Sequence, residues 1–176
     1  APTTGHPTRT TAIIPPAMNL APFLAQAKPA HSERPTVLFV GRLEPRKGIT
    51  VLLQAWEMVV ASAAGARPPH LVIAGEGECS AAVEAAMARL GSDAISRMPP
   101  PGNEELPHLF ASATLAVSPA THGESFGIVL AESLAAGTPI IGGANAGYAD
   151  VLTGPGRELL APPGDAPALA AKILEL

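Results

Sequence analysis

One cysteine, one tryptophan, one tyrosine and four phenylalanines are scattered through 176 residues. A lone Cys79 closes no intrachain disulfide and builds no cysteine-based zinc site. The five histidines (His6, His31, His70, His108 and His122) lack metal-ligand spacing, and no Asp-x-Asp pair occurs. No arginine- or lysine-rich run interleaves with aromatics and the net charge is −4, which excludes the usual footprint of a nucleic-acid binder. The start of the sequence does not have the basic-then-apolar build of a signal peptide. The most apolar stretch, 49–66, is interrupted by Gln54 and Glu57. Its bulky residues Ile49, Leu52, Leu53, Trp56 and Val60 recur at helical spacing, which fits a buried amphipathic helix better than a membrane span. A soluble cytoplasmic protein is the expectation.

Charged residues are also scarce at 15%, against 47% hydrophobic. That balance belongs to a packed interior rather than to a disordered chain, and the length suits one domain. Much of the apolar content is alanine, so helices can approach closely.

Seven of the twenty prolines fall in residues 1–35, which read as a linker or wrapped extension with Ala12–Ile14 as a candidate strand. From Thr36 the pattern changes. Short apolar runs at 36–41, 70–75, 94–98, 114–118, 139–142 and 158–161 read as strands. Helical runs are expected at about 49–64, 79–90, 103–112, 126–136 and from 166. Strands without polar alternation, separated by helices, predict an α/β fold: a doubly wound parallel sheet with helices on both faces, whose ligands lie at the carboxyl ends of the strands. The domain is expected to span 36–176.

Two segments carry chemistry. Gly41-Arg-Leu-Glu-Pro-Arg-Lys-Gly48 joins a strand to a helix, where Arg42 presents a planar fork to phosphate and Lys47 a mobile point charge. The competing possibility is a solvated turn whose cations pair with Glu44. The second segment, Glu124-Ser-Phe-Gly-Ile-Val-Leu-Ala-Glu132, sets two carboxylates eight positions apart. On a helix beginning near Phe126 they would lie about 12 Å apart and be rotated by about 80°. That is too far for an acid/base dyad on one bond. It suits a grip on two ends of an extended ligand, with the helix N-terminus free to receive an anion between them. A nucleoside diphosphate sugar has that shape.

Other motifs weigh less. Gly75-Glu-Gly-Glu-Cys-Ser80 resembles a dinucleotide fingerprint with its third glycine replaced, and two glutamates would face the pyrophosphate. Gly123-Glu-Ser-Phe-Gly127 satisfies the pattern of a hydrolase nucleophile elbow. However, the stretch Pro119-Ala-Thr-His-Gly123 separates Ser125 from its strand, and no histidine follows it. His122 reads as a surface residue over a proton shuttle or sugar contact, 142–147 as a flexible glycine-rich edge whose amides could touch a phosphate or sugar, and Asp150 as an ordinary helix N-terminal residue.

On Gly-Arg-Leu-x-Pro-x-Lys-Gly at 41–48, Val-Ile-Ala-Gly-x-Gly at 72–77, Glu-x7-Glu at 124–132 and Ala-x-Gly-x-Pro-Ile-Ile at 135–141, the chain resembles the donor-binding, C-terminal half of a GT4 retaining glycosyltransferase with the GT-B fold. The Glu-Pro-Arg-Lys-Gly and Gly-Glu-Ser-Phe-Gly-Ile-Val-Leu segments are most similar to the phosphatidylinositol mannosyltransferase group, whose donor is GDP-mannose.

The resemblance implies hexosyl transfer from GDP-mannose or a UDP-sugar to a hydroxyl, on a lipid-linked molecule or a polyol, with no cofactor and no bound metal. Its catalytic residues would be Glu124, Arg42 and Lys47. The donor site would comprise Gly41, Arg42, Lys47, Gly123, Glu124, Ser125, Phe126, Gly127, Ile128, Val129 and Glu132. Within it Arg42 and Lys47 would hold the diphosphate, Glu124 the sugar hydroxyls and Glu132 the ribose, while amides near Phe126–Val129 would meet the phosphates and sugar.

Two departures stand out. Met98-Pro-Pro-Pro-Gly102 replaces the turn that contacts the base in the family. Nothing in the sequence matches the N-terminal acceptor domain, so the chain is expected to be a fragment, inactive alone, with peripheral membrane attachment left open for the full-length protein. A stand-alone nucleotide-sugar-binding module and a GT-B sugar-nucleotide epimerase are the alternatives.

Overall fold

The computed structural model describes residues 17–26 and 34–175; the candidate strand at 12–14 lies outside them. Six strands form one parallel sheet: β1 Thr36–Val40, β2 His70–Ala74, β3 Ile95–Met98, β4 Leu115–Ser118, β5 Ile140–Gly143 and β6 Leu160–Ala161. Their order is β3-β2-β1-β4-β5-β6. Within the sheet Val37 pairs with Leu71 on one side and Leu115 on the other, so β1 lies at the centre.

Why the strands read as continuous apolar runs is plain from their two faces. Val37, Phe39, Leu71, Ile73, Leu115, Val117 and Ile141 point into one core, with Trp56 at its heart. Their neighbours Leu38, Ala74, Ala116 and Ile140 point into a second core with Phe110 and Tyr148. Side chains alternate along a strand, so a sheet covered on both faces needs an apolar residue at every position.

Helices α2 Ile49–Ser62, α3 Ser80–Leu90 and α7 Ala166–Leu174 cover the first face. Trp56 is fully buried there and donates its indole N–H to the Ala94 carbonyl at 3.0 Å. On the second face lie α1 Ala21–Leu24, α4 Leu106–Ser112, α5 Ile128–Ala135 and α6 Ala146–Val151. Within the stretch read as an extension, α1 lays Phe23 against Phe110, with ring centroids 6.2 Å apart. Among the described residues no helix is long and apolar enough to cross a membrane.

Three helix boundaries differ from the sequence pattern. The run expected from 103 starts at Leu106, because Pro107 fits the first turn and Gly102 with Glu105 forms a turn before it. Residues 146 and 147, the end of the stretch read as flexible, instead open α6, Ala146–Val151. The run expected from Phe126 starts at Ile128, since Gly127 adopts a left-handed conformation (φ 73°) as the N-cap. Glu124 therefore lies in the loop before α5, and the helical spacing of about 12 Å and 80° does not describe its relation to Glu132.

Candidate functional site

The strands run β1, β2, β3 in one direction from the centre and β4, β5, β6 in the other, so the order reverses between β1 and β4. In an open parallel sheet, ligands bind in the crevice beyond the carboxyl ends at that reversal. Both chemistry-bearing segments leave the sheet there, one after β1 and the other after β4.

After Val40 the chain passes through Arg42 and Glu44 into a 3-10 turn, Pro45–Lys47, which ends at Gly48 in a left-handed conformation (φ 74°). A β-carbon on Gly48 would lie 2.0 Å from the Pro119 carbonyl oxygen, so only glycine lets the two loops meet. The Thr121 amide then donates to the Arg46 carbonyl at 2.9 Å, stitching the loops together.

That contact delivers Glu124 to the basic turn. Its Oε1 receives Lys47 Nζ at 2.5 Å and Arg46 Nη1 at 3.2 Å, with the Glu124 side chain only 11% exposed. Arg46 also bonds Glu44 Oε2 through Nε at 2.8 Å and the Gly123 carbonyl through Nη1 at 3.3 Å. The other oxygen of Glu44 takes Arg42 Nη1 at 2.6 Å. Charges alternate along the line Arg42, Glu44, Arg46, Glu124, Lys47. Three cations against two carboxylates leave the cluster one positive charge. Glu124 Oε2 has no hydrogen-bond partner among the described residues and is not fully buried.

The structure thus brings together Lys47 and Glu124, both expected site residues, and places Arg46 between Glu44 and Glu124. Sequence reading passed over Arg46. The only local hint was its position two residues beyond a glutamate, which says nothing of a partner 78 residues away. Arg42 does not touch Glu124. It stands at the exposed end of the cluster, paired with Glu44 as a solvated turn would have it.

The loop carrying Glu124 is braced from β5 and α6. Buried Asn145 caps α6 by accepting the Tyr148 amide at 3.1 Å and donates to the Ala120 carbonyl at 3.1 Å. Tyr148 is fully buried and bonds Ser118 at 2.7 Å. Burial pushes its hydroxyl up to about 12, so the neutral phenol persists well into the alkaline range. A β-carbon on Gly147 would lie 2.3 Å from the Glu124 carbonyl oxygen, so the segment read as flexible is instead tightly packed against the site.

Helix α5 begins with no side-chain cap, which leaves its first-turn amides, including those of Ile128 and Val129, without side-chain partners. Ser125 and Ile128 are exposed and Phe126 half-buried along this rim, Gly41 and Gly123 lie at the turns of the two loops, and Gly127 is buried. On the helix, Glu132 is half-buried with no ion pair or side-chain hydrogen bond among the described residues. Burial holds its carboxyl above the usual carboxylate range.

Beyond the ends of β2 and β3, against α3, an open cleft of about 310 Å³ is lined by Glu76, Glu84, Met87, Arg97, Met98 and Pro99. Arg97 bonds Glu84 at 2.9 Å and the Gly75 carbonyl at 3.2 Å. The glycine-rich segment after β2 has its backbone engaged with the neighbouring loop: the Leu43 amide donates to Glu76 at 2.8 Å, and Cys79 donates to Leu43 at 2.9 Å. Ser125 has no hydrogen bond to a histidine among the described residues, and His122 is exposed, bonded to Thr121 at 2.8 Å. No group of three His, Cys, Asp or Glu residues suited to a metal occurs among the described residues.

A sequence model of the family described as glycosyl transferases group 1 matches residues 22–176. The chain belongs to that family. A D-inositol 3-phosphate glycosyltransferase from Segniliparus rotundus is 32% identical over 158 residues, covering 81% of this chain and 34% of the relative. The group 1 chain thus spans about a third of the length of the curated relatives it matches. Among solved structures, sucrose-phosphate synthase from Thermosynechococcus elongatus superposes with a TM-score of 0.70 at 27% identity, covering 92% of this chain and 42% of that one. Anabaena HepE in complex with UDP-glucose superposes with a TM-score of 0.68 at 23% identity, covering 81% and 39%, a likeness of fold. The parallel six-stranded sheet is that of GT-B glycosyltransferases.

Proposed function

We propose that this group 1 domain binds the nucleotide-sugar donor of a retaining glycosyltransferase, which moves a hexosyl group from a nucleoside diphosphate sugar to a hydroxyl. One observation carries the reading. At the reversal of the sheet, Glu124 is held by Lys47 and Arg46 through a single oxygen, which leaves Oε2 open to accept hydrogen bonds from sugar hydroxyls. Lys47 and Arg42 would meet the diphosphate and offset the charge that grows on it as the glycosidic bond breaks. The uncapped start of α5 adds its amides and the positive end of its dipole.

Glu132, half-buried and unpaired, would accept from the ribose hydroxyls. The cleft beside Met98 and Pro99 would take the base; GDP-mannose and UDP-sugars are the candidate donors. That HepE was solved with UDP-glucose supports a nucleotide sugar here. The names of the curated relatives support a polyol phosphate as acceptor over a lipid-linked one. The acceptor-binding domain would lie in the rest of a longer protein, and this domain alone would bind donor without turnover.

Titration of UDP, GDP, UDP-glucose and GDP-mannose onto the chain tests the reading. Binding of one base family is expected, weakened by about 1.5–3 kcal/mol in Lys47→Gln, since a charged hydrogen bond to phosphate is lost. Absence of binding by all four at millimolar concentration would overturn it.

A further inference from the structure

We propose that Arg46 is a positioning residue, which keeps Glu124 aimed at the transferred sugar after Lys47 has turned to the diphosphate. The inference rests on the donor-site reading above and concerns what happens inside that site when the ligand arrives.

Without ligand, Glu124 Oε1 takes both Lys47 and Arg46. A diphosphate at the strand ends carries more negative charge than one carboxylate and competes for these cations. Lys47 is free to go: its ammonium sits on a flexible four-carbon stem, and Glu124 is its one partner among the described residues. Arg46 is not free. Its Nε is tied to Glu44 at 2.8 Å, its Nη1 reaches the Gly123 carbonyl at 3.3 Å, and its own carbonyl is fixed by the Thr121 amide at 2.9 Å. Without ligand, Glu44 also takes Arg42 on its second oxygen, but the bond to Arg46 uses the other oxygen and does not depend on Arg42.

The planar guanidinium therefore meets three acceptors on two loops at once, a geometry that a lysine at this position cannot reproduce. When Lys47 leaves, a carboxylate only 11% exposed still keeps a fixed cation on Oε1, and Oε2 stays free for the sugar. The two cations thus divide the labour, Lys47 moving to phosphate while Arg46 stays.

The test uses calorimetric dissociation constants of the diphosphate and its sugar-bearing form, UDP with UDP-glucose or GDP with GDP-mannose, whichever pair binds. The ratio within the pair isolates the sugar. Glu124→Gln is expected to move this ratio against the sugar form by about tenfold. Arg46→Lys, which keeps the charge, is expected to move it equally, with the diphosphate constant changed by less than about threefold. The double variant should go no further than either single one, because both act on one contact. Glu44→Gln, which loosens Arg46 without touching Glu124, should give a smaller shift in the same direction; a urea melt of each variant confirms that it is folded. If Glu124→Gln loses the sugar preference while Arg46→Lys and Glu44→Gln keep it, Arg46 does not position Glu124 and the proposal fails. If Glu124→Gln leaves the ratio unchanged, the donor-site reading itself fails.

Discussion

The ring of Tyr148 fills the space that a side chain at residue 127 would need: a β-carbon built on Gly127 lies 2.6 Å from it. This contact locks the start of α5 against α6, and with it the loop carrying Glu124. Gly127 also holds a left-handed conformation, φ 73°. Gly127→Ala combines backbone strain with displacement of a buried ring, and should cost about 2–4 kcal/mol. Denaturant unfolding measures the loss; a midpoint unchanged from the parent would show that the contact is not made in solution.

Tyr148 is the only tyrosine in the sequence, so ultraviolet titration reads it alone. Its ionisation should centre at about 12, above the ordinary value of 10.0. Since the native state favours the neutral phenol, its contribution to stability is complete below pH 10 and is lost as the pH rises towards 12. A midpoint near 10 in the folded protein would contradict the burial of this ring.

Glu132 should behave as a liability to the fold. With the folded value raised above the ordinary 4.5, the native state holds the proton more tightly, so stability is full below that value and falls as the pH rises through the raised one. Glu132→Gln, which mimics the protonated carboxyl, should melt higher than the parent at pH 7, and the difference should vanish below about pH 4. A variant less stable at pH 7 would mean that the carboxylate has a stabilising partner.

Donor binding should not require a divalent cation. Arg42, Lys47 and the start of α5 supply positive charge where a diphosphate would lie, and the described residues hold no metal-binding group of three. Titration of the diphosphate with and without chelator is expected to give the same constant; collapse of affinity in chelator would count against these cations as its main partners.

How much of this the sequence disclosed varies by residue, for physical reasons. The central strands were legible because both faces of β1 and β4 are buried, so Val37–Phe39 and Leu115–Val117 must all be apolar. Short α6 was not: six residues with Gly147 among them are too few to form a helix on local preference, and it is held by the Asn145 cap and by Tyr148 packing on distant residues. Lys47 and Glu124 were legible as chemistry at strand ends. Their contact and the bridge through Arg46 were not, because both depend on the Gly48–Pro119 approach that brings two remote loops together.

The sharpest experiment compares Glu124→Gln and Glu132→Gln, titrated calorimetrically with the nucleoside diphosphate and with the intact nucleotide sugar. Glu132→Gln is expected to weaken the diphosphate itself by about 1.5–3 kcal/mol, because a ribose hydroxyl loses a charged acceptor. Glu124→Gln should leave the diphosphate nearly unchanged and penalise only the sugar-bearing donor. If both variants weaken the diphosphate equally, or neither changes the affinity of any ligand, the two carboxylates do not hold the two parts of one donor.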